Sequence, residues 1–100
     1  MRLLFVSHQN KKRSKLVEEV FRNNFKTQSA GIYNDPVTSE QLNWADVVFV
    51  MEEHYTEELN RRFPELCAKK KIVALNLPAI LPEDKQELAS FLEKQVKELI

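Results

Sequence analysis

The densest chemistry in the chain lies in residues 7–14, which read Ser7-His8-Gln9-Asn10-Lys11-Lys12-Arg13-Ser14. An apolar run, Leu3-Leu4-Phe5-Val6, precedes them, and a helical pattern of Leu16, Val17, Val20 and Phe21 follows. A strand, a short cationic loop and a helix start in that order make an anion cradle. The first turn of a helix has unpaired backbone N–H groups and the positive end of the macrodipole. Arg13 adds a planar guanidinium that can grip two oxygens of a phosphate or sulfate at once. Lys11, Lys12 and Lys15 read as a solvated cationic rim, which raises the on-rate of anions without specific contacts. The competing reading is an ordinary strand-to-helix turn with Ser14 as its N-cap.

Such a loop works only if the elements around it hold it open. Strands are expected at Leu3 to Val6, around Lys26 to Ala30, at Val47 to Met51 and at Ile72 to Leu77. The first, third and fourth are almost continuously apolar, as strands buried on both faces of a parallel sheet are. Helices are expected from near Ser14 to about Asn24, after a capping box at Thr38-Ser39-Glu40-Gln41, and from about Glu53 to Phe63, where Pro64 interrupts. A last helix carries Leu88, Phe91, Leu92, Val96 and Leu99 at helical spacing. Alternating strands and helices imply an α/β fold, a four-stranded parallel sheet with helices on both faces. Ligands of such sheets bind at the carboxyl ends of the strands, where residues 7–13 lie.

Composition narrows the partners. One hundred residues fit a single domain, 1–100, with one modest core. Formal net charge is zero, so no global pull toward nucleic acid or a membrane is expected, and the cationic cluster lacks the interleaved aromatics of a nucleic-acid surface. The longest apolar run is far below the roughly 20 residues that span a bilayer. Met1-Arg2 leads into only four apolar residues, which is not a signal-peptide layout, and a cytoplasmic protein is expected. Cys67 is the single cysteine and reads as a buried spectator. Trp44 reads as core. His54 has no His or Cys at ligand spacing, so no metal and no cofactor are expected. Tyr33, in the loop after the second strand, is a candidate wall for the anion site.

With these stretches on the page, the chain resembles the low-molecular-weight protein tyrosine phosphatases, and most closely their short bacterial branch of about a hundred residues. The resemblance runs through LLFVSHQNKKRS, Ser29-Ala30-Gly31, PVTSEQLNWADVVFVMEEH and KIVALNLP, and covers nearly the whole length. It implies a flavodoxin-like strand order, 2-1-3-4, with a nucleophilic Cys at the end of the first strand, then Arg and Ser or Thr, and a general-acid Asp after the last strand. Gln9, Asn10, Arg13 and Ser14 match that pattern. Two positions depart from it: the nucleophile place holds Ser7, and the acid place holds Ala79, preceded by Asn76.

Both departures bear on chemistry. Such a phosphatase needs a thiolate, ionised at neutral pH by the loop N–H groups and the arginine. A serine hydroxyl is far harder to ionise, and His8 is a poor prospect as its base, since neighbours in a cradle point different ways. Without an acid the leaving oxygen is not protonated, a contribution typically on the order of 100- to 10,000-fold in rate. Two separate losses favour natural inactivation over a single engineered change. The expected protein is a phosphatase-like anion binder that has lost catalysis. Ser7 donates a hydroxyl, the N–H groups of residues 8–13 surround the anion, Arg13 clamps it, and Ser14 bonds toward Ser7. Asn10 keeps the loop's shape, because Asn tolerates left-handed backbone. The expected partner is phosphate, sulfate, or a phosphorylated protein or small molecule. Two alternatives stay open: an active phosphatase seen as a Cys-to-Ser variant, with Asp84 as its acid, and a plain interaction protein with a vestigial loop.

Overall fold

The four apolar segments become parallel strands: β1 (Arg2–Ser7), β2 (Lys26–Gly31), β3 (Val47–Val50) and β4 (Lys71–Ala74). The structure, a computed structural model, describes residues 1–8, 13–33, 35–75 and 84–99, with backbone alone at 13–15 and 85. Between and after the strands lie α1 (Arg13–Phe21), α2 (Ser39–Trp44), α3 (His54–Arg62), α4 (Pro64–Lys69) and α5 (Lys85–Leu99). The strands pair in the order β2-β1-β3-β4, all parallel, which is the expected 2-1-3-4.

Continuous apolar character follows from burial on two sides. Leu3, Phe5, Val47 and Phe49 face α1 and α5, where they meet Val17, Phe21, Leu88, Leu92 and Val96. Phe5 stacks between Phe21 and Phe49, with ring centroids 5.9 and 5.5 Å away. Leu4, Val6, Val48 and Val50 face the opposite way and meet Leu42, Tyr55, Leu59 and Cys67 from α2, α3 and α4. Trp44 is half-buried against that second cluster, with the Arg2 guanidinium 6.0 Å over its ring. Strand β2 is an edge strand, and its residues Lys26 to Ser29 are exposed or half-buried, which explains its weak apolar signal.

Several boundaries shift for local reasons. Helix α1 stops at Phe21 and not at Asn24, because the N–H groups of Asn24 and Phe25 both turn back to the Phe21 carbonyl, at 3.1 and 3.0 Å. Asn favours such turns over helix interiors. Pro64 ends α3 as expected, but the chain resumes at once as α4, with the proline at a helix start where its missing N–H costs nothing. The capping box forms as read: Thr38 Oγ1 accepts from the Gln41 N–H and Gln41 Oε1 accepts from the Thr38 N–H, both at 3.1 Å. At the other end of α2, Lys70 Nζ donates to the carbonyls of Asn43 and Ala45 at 3.0 and 2.7 Å. Strand β4 spans Lys71–Ala74 and the following Leu75 is buried, while Asn76 and Leu77 lie outside the described residues.

This topology fixes where a ligand can sit. The helix after β1 carries the chain outward to β2, and the helices after β3 carry it the opposite way to β4. The connections diverge between the carboxyl ends of β1 and β3, the switch point at which such sheets take ligands. Ser7 is the last residue of β1.

Candidate functional site

Ser7 is pinned by its neighbours on both sides. It lies opposite Gly31 of β2, and the Met51 N–H donates to the Val6 carbonyl at 2.9 Å from the end of β3. The residue is buried, 7% exposed, and is the buried polar residue among the described side chains of the core. The Ile32 N–H donates to the carbonyls of Ser7 and His8, at 2.9 and 3.1 Å, and the Tyr33 N–H to His8 at 3.0 Å. The Ser7 main chain is thereby held at the switch point, with the first turn of α1 beginning at Arg13. Ser14 and Lys15 follow Arg13 in that turn. Gln9, Asn10, Lys11, Lys12, Asn76 and Ala79 lie outside the described residues.

Rings gather about His8, the residue after Ser7. His8 is exposed, and its imidazole meets the Tyr33 ring edge-on at 4.9 Å between centroids. Tyr33 is 66% exposed and stands beside His8, at the end of the sheet where Ser7 closes β1. The ring of the buried Tyr55 lies 6.2 Å from that of His8. Tyr55 in turn lies 4.2 Å from His54, whose Nδ1 faces Glu52 Oε2 at 3.4 Å. These residues come from three elements: the end of β1, the turn after β2 and the start of α3. The sequence reading did not assign Tyr55 to the site. Its place just after β3, at the same sheet edge as His8, is the signal that points to it.

The loop after β2 is shaped by its own residues. The Gly31 N–H donates to the Asp35 carbonyl at 2.9 Å, and the Val37 N–H to the Gly31 carbonyl at 3.0 Å. Asp35 has φ of 47°, a left-handed conformation that Asp adopts more readily than most residues. Behind the loop, Arg62 on α3 donates from Nη1 to the Ile32 carbonyl at 2.7 Å and from Nε to Glu58 Oε1 at 2.9 Å. Its guanidinium lies 5.9 Å from the Tyr33 ring. Glu58 also pairs with Arg61. Hydrogen bonds from Arg61 foremost, and from Arg62, hold the Glu58 carboxyl below its ordinary range against a smaller opposing effect of burial.

Two other groups acquire plain structural roles. Asp84 Oδ1 accepts from the Gln86 N–H at 2.8 Å, and the Asp84 carbonyl accepts from the Leu88 N–H at 2.9 Å, so Asp84 is the N-cap of α5. Cys67 is buried on α4, as expected, and desolvation pushes its thiol above the usual value. No group of three or more His, Cys, Asp or Glu side chains converges among the described residues.

Comparison with known proteins rests on shape. No family profile and no curated protein matches the chain by sequence. Solved structures do match. A low-molecular-weight protein tyrosine phosphatase from Bacillus subtilis superposes with a TM-score of 0.74 at 19% identity, over 98% of each chain. A Cys-to-Ser mutant of the arginine phosphatase YwlE, with a phosphorylated active-site serine, gives 0.70 at 18% identity over 99% of this chain and 91% of that one. Wzb from Vibrio vulnificus, in complex with benzylphosphonate, gives 0.67 at 16% identity over 97% and 94%. The chain has the fold of the low-molecular-weight protein tyrosine phosphatases.

Proposed function

We propose that the protein binds phosphate or a phosphorylated ligand between the end of β1 and the start of α1, and that it does not turn that ligand over. The observation that carries this reading is Ser7: a buried hydroxyl closing the strand beside the switch point, where the phosphatase chemistry of this fold calls for a thiolate. The neighbours bear on the ligand class, since one carries a phosphoryl group on an active-site serine and another holds benzylphosphonate. In this reading Ser7 donates its hydroxyl to an anion oxygen. The amides of residues 8–13 and the Arg13 guanidinium complete the cradle, with His8, Gln9, Asn10, Lys11 and Lys12 lining it. Ser14 orients Ser7. Catalysis fails twice, at Ser7 for the attack and at Ala79 for protonation of the leaving oxygen. Asp84 does not make good the loss, because its carboxylate is committed to the cap of α5.

The test combines binding with turnover. Inorganic phosphate should bind, with affinity falling as salt rises. Arg13→Ala should weaken binding more than Lys15→Ala, since one removes a two-pronged contact and the other a screened charge. An aryl phosphate ester should not be hydrolysed. Equal losses in the two variants would assign binding to the diffuse rim. Steady hydrolysis abolished by Ser7→Ala would establish an active enzyme instead.

A further inference from the structure

The Arg62 side chain crosses from α3 to the loop after β2, where among the described residues it meets the Ile32 carbonyl and the Tyr33 ring. It is 28% exposed and its partner Glu58 20% exposed, so the pair is partly withdrawn from solvent. The contact falls on a particular peptide unit. The Ile32 carbonyl that accepts from Arg62 Nη1 at 2.7 Å belongs to the same planar amide as the Tyr33 N–H, which donates to the His8 carbonyl at 3.0 Å. A trans amide points its C=O and N–H in opposite directions and cannot turn one without the other. Arg62 therefore holds one end of a rigid plate whose other end holds His8. A charge-assisted bond to the carbonyl also polarises the amide and strengthens its N–H as a donor. The same guanidinium lies 5.9 Å from the Tyr33 ring, and that ring meets His8 edge-on at 4.9 Å. Glu58 fixes the guanidinium plane by taking Nε, which leaves Nη1 aimed at the carbonyl.

We propose that Arg62, held by Glu58, is a positioning residue: it sets the Ile32–Tyr33 peptide, and through it the His8 carbonyl and the face that Tyr33 presents at the mouth. Its consequence for binding rests on the anion-site reading above. A mouth walled by a fixed Tyr33 favours an anion that carries a planar group, so Arg62 governs the preference for aryl phosphonates over inorganic phosphate. Lysine in its place keeps a single donor for the Ile32 carbonyl and loses the flat fork that also engages Glu58.

Two measurements on the full chain decide the matter. In the free protein, amide exchange at Ile32 and Tyr33 should quicken about tenfold in Arg62→Ala, the equivalent of one ordinary hydrogen bond, while Val48 and Val50 in β3 keep their protection. Glu58→Gln should give a smaller change of the same kind, and supplies the answer if Arg62→Ala does not fold. With phenylphosphonate and inorganic phosphate as probes, Arg62→Ala should lower the affinity for the first by more than for the second. Arg62→Lys should recover part of that difference, and Arg62→Ala should add little to Tyr33→Leu. Unchanged exchange at Ile32 and Tyr33 overturns the brace, whatever the probes do. Faster exchange with equal losses for both probes, or with none, overturns the positioning role. If wild type binds neither probe, the anion reading falls, and the exchange result alone upholds or overturns Arg62 as the brace.

Discussion

A single atom separates Ser7 from the thiol that phosphatase chemistry requires, and the surroundings of that atom can be tested by restoring it. Thiol acidity reports the field of its cradle: helix N-termini and nearby cations stabilise the thiolate, while apolar burial opposes it. The chain carries its own reference in Cys67, where burial raises the thiol. Ser7→Cys should yield a thiol whose alkylation midpoint lies well below the free value of about 8.5, while Cys67 stays inert over the same range. Mass mapping of alkylated peptides against pH separates the two. A midpoint near the free value would mean that the amides and Arg13 exert no field at position 7. Turnover by Ser7→Cys alone should remain poor on an ester with a basic leaving group, and adding Ala79→Asp should help that ester more than an activated one. Equal rates in the single and double variants on the poor leaving group would remove Ala79 from the acid position.

At the scale of elements, α2 is a six-residue helix, too short to persist on propensity alone. Its ends carry it: the reciprocal Thr38–Gln41 box at one and the Lys70 ammonium on two carbonyls at the other. Thr38→Ala should cost about 1 kcal/mol of stability, read as a lower urea midpoint with an unchanged slope, and Thr38→Ser should restore most of it. A neutral Thr38→Ala would mean that Leu42 packing alone holds α2. This helix also shows what the sequence makes legible. A capping box is a pattern over four consecutive residues, so it can be read locally, as can the double-faced apolar strands. The Lys70 cap cannot, because it joins residues far apart in sequence whose meeting depends on α4 ending beside α2. Arg62 was missed for the same reason: its role needs the length and pitch of α3 as well as the path of the loop after β2. The place of Ser7 was legible because the apolar run Leu3 to Val6 marks the end of its strand, whereas β2, with its weak apolar signal, leaves the loop of Tyr33 less sharply placed.

At the scale of the whole molecule, two carboxylates set the acid side of stability, one closing the start of the sheet and one within α3. Asp46, at the end of the chain's approach to β3, accepts from the Arg2 N–H at 2.8 Å and returns its own N–H to the Arg2 carbonyl at 2.8 Å, which closes the start of β1 against β3. Glu58, on α3, gathers Arg61 and Arg62 of the same helix. Both carboxyls are held below their ordinary values of 3.8 and 4.5, Asp46 chiefly by the Arg2 backbone N–H and Glu58 chiefly by the Arg61 hydrogen bonds. A carboxyl whose folded value is depressed binds protons more tightly in the unfolded chain. Its stabilisation is fully present above the unfolded value and is lost as pH falls through the folded one. The urea midpoint should therefore stay level down to about pH 5 and fall below it. Asp46→Asn and Glu58→Gln should each lower the midpoint at neutral pH and flatten the fall between pH 5 and the acid limit, on the order of one proton's worth of linkage per site at most. High salt should shrink the Asp46 effect more than the Glu58 effect, because Asp46 is the more exposed of the two. An acid limb as steep in the double variant as in wild type would place the titrating carboxylates elsewhere in the molecule.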